Sequence, residues 1–249
     1  MIAGLAITPG AALFCLAAVA AGAMVQRMAG QAFGMISAPL VAMAAPGMVP
    51  GALLVIGLAV GLGATAVDLS AVDRRALPPG FAGRTLGAVL ATLLLGLLPG
   101  PGAVSLTVAG VVMVGVALSL AGLSVPIRPA TLFGAGVLAG LMGTLTAVGA
   151  PPMALLYQHA PARRSRAMQN VFFLWGMMVS IASLALAGLI GRAECLFALL
   201  MLPGVAAGLW AGGRLAGRLA RGRIRPWALG LSAASAVALI LRVWLVPPA

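Results

Sequence analysis

Ten apolar segments divide the chain, at approximately 4–27, 32–46, 49–67, 84–99, 102–122, 130–148, 151–158, 167–190, 194–213 and 226–246. A helix needs about 20 residues to cross the hydrocarbon of a bilayer, and most of the segments come near that length. Segments two and seven are too short for it. They are expected as halves of broken helices or as the return arms of re-entrant hairpins. The pattern therefore predicts an all-α polytopic membrane protein.

Composition removes the soluble alternative. Of 249 residues, 63% are hydrophobic and 7% charged, against about 25% charged in an ordinary soluble domain. The two cysteines, Cys15 and Cys195, fall in apolar runs and read as small buried hydrophobes. Their spacing fits neither a disulfide framework nor a metal site, and no metal or cofactor is expected. Met1-Ile2-Ala3-Gly4 lacks the positive stretch of a secretory signal peptide and reads as the start of the first membrane segment.

The charge is lopsided. Fifteen basic residues, all arginine, face three acidic ones, for a formal charge of +12. In a soluble domain that balance would suggest nucleic acid. Here the arginines lie between apolar runs, as cytoplasmic loops do, where some can meet anionic lipid headgroups. No aromatic-rich polar surface is present to stack bases, so a nucleic-acid partner is not expected.

Charged loops follow segments three (Arg74, Arg75, Arg84), seven (Arg163, Arg164, Arg166) and nine (Arg214, Arg218, Arg221, Arg223, Arg225). If segments one and two, and likewise six and seven, each make two crossings, or go in and return, all three loops share a side. Arg128 joins them, and only Arg192 and Arg242 fall outside. The positive-inside rule favours this count. It puts the arginine-rich loops in the cytoplasm of a bacterial inner membrane and both termini in the periplasm. Each half then holds five segments, so the second half, 123–249, enters the membrane upside down relative to the first, 1–122. Ala11-Ala12-Leu13-Phe14 opens one half and Ala130-Thr131-Leu132-Phe133 the other. Together the halves are expected to form one membrane domain, an inverted repeat with an interrupted helix in each half, which is the sequence pointer to a transporter site.

The first interruption runs Val25-Gln26-Arg27-Met28-Ala29-Gly30-Gln31-Ala32-Phe33-Gly34-Met35-Ile36-Ser37-Ala38-Pro39-Leu40. The second runs Gly140-Leu141-Met142-Gly143-Thr144-Leu145-Thr146-Ala147-Val148-Gly149-Ala150-Pro151-Pro152. Glycine lets the backbone leave helical geometry, and proline suits the first turn of a new helix. A helix starting inside the membrane presents unpaired N–H groups and a positive dipole end, which suit an anion. Glycine pairs such as Gly57-x-x-x-Gly61 and Gly136-x-x-x-Gly140 signal close helix packing.

These two stretches resemble the sulfite exporter TauE/SafE family of membrane transporters. A first-half motif like V-Q-G-L-T-G-F-G-F-G-x-x-x-x-P-L is matched at Gln26, Gly30, Phe33, Gly34, Pro39 and Leu40. A second, like G-T-L-T-G-x-G-G-P-P before a helix opening R-A, is matched at Gly143, Thr144, Leu145, Thr146, Gly149, Pro151, Pro152, Arg166 and Ala167. Arg27, Ala32, Ala147 and Ala150 stand where the motifs have glycine, and Gln31 where they have phenylalanine. The resemblance implies transport of sulfite, sulfonates or related organic anions.

The candidate substrate-binding residues are Gln26, Arg27, Gly30, Gln31, Gly34, Thr144, Thr146, Gly149, Gln169 and Asn170. The guanidinium of Arg27 can grip a sulfonate or carboxylate, or snorkel to the interface at the end of segment one. Gln26, Gln31, Thr144 and Thr146 can bind the anion, or bond helix to helix for about 0.6 kcal/mol each. Gln169 and Asn170, as amides buried within segment eight, need partners in the protein or the substrate. Arg166 serves as a gate or a loop anchor; His159, the single histidine, as a proton relay or a solvated loop residue.

Asp68, Asp73 and Glu194 all fall at segment ends, whereas proton-coupled carriers usually keep such groups within the membrane. The interior-negative potential favours anion efflux by about 2.3 kcal/mol per charge per 100 mV, so export by alternating access needs no coupling ion. Two rivals stand beside this reading. One is an enzyme acting on lipid phosphates, for which Asp68 and Asp73 would hold Mg²⁺; the other is a scaffold that transports nothing. The expected partners are a small anion and the bilayer, with a homo-oligomer left open.

Overall fold

The computed structural model describes residues 7–30, 32–66, 68–97, 100–121 and 125–216, together with 230, 233–234, 236–238 and 240–241. Among the described residues there are nine α-helices and no strand: α1 (Pro9–Ala29), α2 (Phe33–Ala44), α3 (Gly51–Thr65), α4 (Leu77–Leu95), α5 (Gly100–Leu120), α6 (Pro129–Thr146), α7 (Pro151–Tyr157), α8 (Ala162–Leu186) and α9 (Arg192–Leu215). Four of them, α1, α6, α8 and α9, are long and apolar enough to cross a membrane. The segment expected at 226–246 lies largely outside the described residues, as do Arg218, Arg221, Arg223, Arg225 and Arg242.

Local chemistry sets the starts of these helices. Thr8 accepts a hydrogen bond from the Ala11 N–H, with Pro9 opening α1. The Glu194 carboxylate accepts from the Gly191 N–H at the head of α9, where a negative charge meets the positive helix end.

Two helices begin earlier than the apolar pattern predicts. α8 takes Arg163, Arg164 and Arg166 into its first turns, and α4 starts at Leu77, so Arg84 lies within a helix rather than in a loop. Pro78 and Pro79 occupy the opening positions of α4, where a missing N–H costs nothing. Cys15 is buried as expected, but Cys195 is exposed on α9.

The short helices are return arms. α2 has 12 residues and α7 has 7, which span about 18 Å and about 10 Å at 1.5 Å per residue. α2 folds back along α1: the Ser37 hydroxyl donates to the Ala18 carbonyl, and Gly22 faces Ser37 and Phe33. From Phe33 to Pro39 every residue of α2 is buried. α7 likewise returns beside α6, joining Met153, Leu156 and Tyr157 to Leu132 and Ala139 in one apolar cluster.

Glycines set the remaining packing. α1 and α9 run parallel, with Gly204, Gly208 and Gly212 seated on the carbonyls of Leu16, Ala20 and Met24. α4 and α6 also run parallel: Gly83 and Gly87 sit on the carbonyls of Phe133 and Val137, and Gly136 and Gly140 on those of Gly80 and Arg84. Such close approach suits helices in lipid. α3 and α8 are antiparallel, Gly57 meeting Met177 and Gly61 meeting Leu174.

One end of the molecule collects most of the charges among the described residues. There Asp68 pairs with Arg163 (3.5 Å) and Arg166 (2.5 Å), and Asp73 with Arg164 (2.7 Å). Arg27, at the end of α1, lies against Gly212 and Gly213 near the end of α9. α1 therefore runs toward this end, whereas α4, and α6 parallel to it, run away from it.

Two hairpin tips and a buried arginine

The first hairpin tip, between α1 and α2, is held by one amide. Gln26 is fully buried; its Nε2 donates to Asn170 Oδ1 (2.9 Å) and its Oε1 accepts the Phe33 N–H (3.2 Å). That second bond caps α2, since Ala32 has no side chain that can. Asn170 in turn donates to the Ala64 carbonyl (3.4 Å), so α1, α2, α3 and α8 meet here. Gly30 (φ +77°) and Ala32 (φ +95°) turn the chain in the left-handed region. Gly30 also packs on the Arg166 backbone, 2.9 Å from where its Cβ would be. Gln31 lies outside the described residues.

The second tip, between α6 and α7, is built from hydroxyls. Thr146 Oγ1 donates to the Met142 carbonyl (2.7 Å) and accepts the Val148 N–H (3.2 Å). Thr144 and Ser180 share a buried hydrogen bond of 2.6 Å that ties α6 to α8. Ala147 turns the chain at φ +63°.

The hairpins point in opposite directions and touch: a methyl group on Gly34, the second residue of α2, would overlap the Ala147 carbonyl. The amide ends differ from the sequence expectation. α7 opens on Pro151 and Pro152, which have no N–H to offer, and the first N–H of α2 is spent on Gln26. The positive pole near the second tip belongs instead to a side chain.

That side chain is Arg84. It is 3% exposed, and its guanidinium occupies space left by three glycines, Gly143 of α6, Gly149 of the tip and Gly176 of α8. A methyl group on any of them would collide with it. Gly176 is about 21 Å along α8 from Ala162, deep between the ends of the bundle. Among the described residues, Nε and Nη1 of Arg84 have no hydrogen-bond partner. Beside the guanidinium lies a cavity lined by Gly149, Gln169, Met153, Phe172 and Phe173 among others. Gln169 donates to Ser165 Oγ (2.8 Å), and its Oε1 is unpartnered.

Of the ten sequence candidates, Gly149 and Gln169 thus line the cavity. Gln26 and Asn170 hold the first tip, Thr144 and Thr146 the second, and Gly34 the contact between the tips. Gly30 and Arg27 stand toward the charged end. Over residues 14–239, both tips and Arg84 included, the chain matches the family described as sulfite exporter TauE/SafE. The chain belongs to that family. No curated protein and no solved structure matches it. TauE/SafE proteins are membrane transporters of sulfite or related anions, so the two hairpins are to be read as parts of a transport machine.

Arg84 is the residue that sequence reasoning missed. The positive-inside pattern assigned it to a loop with Arg74 and Arg75, which are exposed. Pro78-Pro79, a helix-opening signal, was the clue that α4 begins before it.

At the charged end, the carboxyl of Asp68 is held below the usual carboxylate range. Its hydrogen bond to Arg166 does most of this, against burial, with Arg163 adding to it. The bond between Arg166 and Asp68 closes the end of the bundle next to Gly30 and the first tip.

Proposed function

We propose that this chain exports a small anion across a bacterial inner membrane by alternating access, with its arginine-rich end in the cytoplasm. The observation that carries the reading is the contact between the two hairpin tips, Gly34 on the Ala147 carbonyl. Two return arms that meet inside a bundle put irregular backbone where it is tolerated only within protein or beside a polar cavity.

The reading takes the two halves as an inverted repeat. α1 and α6 run oppositely, and each packs along the fourth helix of the other half, α9 and α4. Moving five places along the chain exchanges these two pairs, and it exchanges α3 with α8. A site at the centre of such a repeat can open to one side and then to the other with little change in its own geometry. The residues directly at the anion are Gly149 and Gln169. Gln26, Asn170, Thr144 and Thr146 hold the tips in place, and Arg27 with Arg166 guards the cytoplasmic mouth. Asp68 and Asp73, the carboxylates an enzyme would need for a metal, are each engaged by arginine.

Flux in reconstituted vesicles tests the reading. Sulfite or a short sulfonate should leave vesicles that contain the protein, faster when the lumen is negative, by up to the factor set by about 2.3 kcal/mol per 100 mV. Flux equal to that of empty vesicles, or blind to the potential, counts against it.

A further inference from the structure

Arginine does not release its proton in proteins, so the guanidinium of Arg84, with Nε and Nη1 unpartnered among the described residues, is a charge held in the interior. Taking a charge out of water without a partner is among the most unfavourable arrangements a fold can contain. The carboxylates at the charged end give it no relief, because Asp68 and Asp73 are bound by Arg163, Arg164 and Arg166. The space around it is no accident of loose packing either. Three elements each present a glycine, Gly143, Gly149 and Gly176, where any side chain would displace the guanidinium.

The walls of the adjoining cavity are divided in character. Arg84 and Gln169 are its polar lining residues; Met153, Phe172 and Phe173 are apolar. Nε and one Nη of a guanidinium make a planar fork that matches two oxygens of a sulfonate or carboxylate. Turned over from the arrangement in which it donates to Ser165 Oγ, the Gln169 amide would accept from that hydroxyl and offer its N–H₂ to a third oxygen. A second negative charge would find a thioether and two rings, and no second cation.

We infer that the cavity behind the second tip is an anion site in which Arg84 is the counter-charge, and that it takes a singly charged oxyanion carrying a short apolar tail. The inference rests on the anion-transport reading and adds to it the residue that neutralises the cargo and the charge class accepted.

Binding to the full-length, detergent-purified protein tests it apart from flux. Propane-1-sulfonate should raise the melting temperature of the wild type, and sulfate at equal ionic strength should not. In Arg84→Met the affinity for propane-1-sulfonate should fall at least tenfold while the ligand-free melting temperature holds or rises, because a buried charge has been removed. Arg75→Gln, on the exposed turn before α4, should bind as the wild type does. A wild type that ignores propane-1-sulfonate, sulfate bound equally well, or Arg84→Met with undiminished affinity each overturns the proposal. Should Arg84→Met fail to fold, Ala150→Leu narrows the same cavity from its wall; binding must again fall at least tenfold, and unchanged binding again overturns it. Arg84-dependent binding without flux would count against transport alone. Flux with Arg84-independent binding would count against this site alone.

Discussion

Ala147 turns the second tip in a conformation that its own methyl group opposes. At φ +63° a side chain crowds the following carbonyl, at a cost of roughly 1–2 kcal/mol that glycine avoids. Glycine is also what the family-like motif carries there. Ala147→Gly should therefore raise stability by about 1 kcal/mol, read as a higher melting temperature in detergent, whereas a fall would mean that the methyl group is needed at the contact with Gly34. Candidates at this scale were legible where residue type and spacing suffice: Gln26, Thr144 and Thr146 are polar groups beside glycines in otherwise apolar runs. Arg84 was not, because its meaning lies in three glycines far from it in the sequence, and no local pattern announces them.

At the scale of elements, the apolar runs located the helices, and their lengths singled out α2 and α7 as too short to cross. What length could not decide was whether a short helix continues its predecessor or returns. Bonds between residues far apart in sequence decide it, such as Ser37 to the Ala18 carbonyl. The charged starts were also misread. A run of arginines at the head of α8 opposes the helix dipole, and Asp68 and Asp73, arriving from the distant connection between α3 and α4, make it tolerable. Acid should undo that arrangement. Since the folded Asp68 carboxyl titrates below its unfolded value of about 3.9, its contribution is complete above that value and is lost as pH falls through the folded one. Melting curves between pH 6 and pH 3 should show a loss in the wild type that is smaller in Asp68→Asn. Parallel losses in the two proteins would assign the acid sensitivity elsewhere.

The whole molecule is tied together by backbone laid against backbone. α1 lies on α9 and α4 on α6, so each contact joins one half of the chain to the other. Two glycines of α6 separate packing from mere composition. Gly136 faces the Gly80 carbonyl, while Gly134 has nothing near it. Gly136→Ala should lower the melting temperature, by the equivalent of about 1–3 kcal/mol; Gly134→Ala should raise it or leave it unchanged, since alanine is the better helix former by up to about 1 kcal/mol. The same sign at both positions would contradict the packing described here. The contact of α3 with α8 is made differently: Gly57 meets the sulfur of Met177 and the ring of Phe173. Carbonyls fixed in a helix cannot step aside, but a thioether and a ring can rotate. A cycle of opening and closing would thus carry the two glycine-sealed pairs as stiff blades, each made from both halves, and leave the sliding to the seam that side chains lubricate.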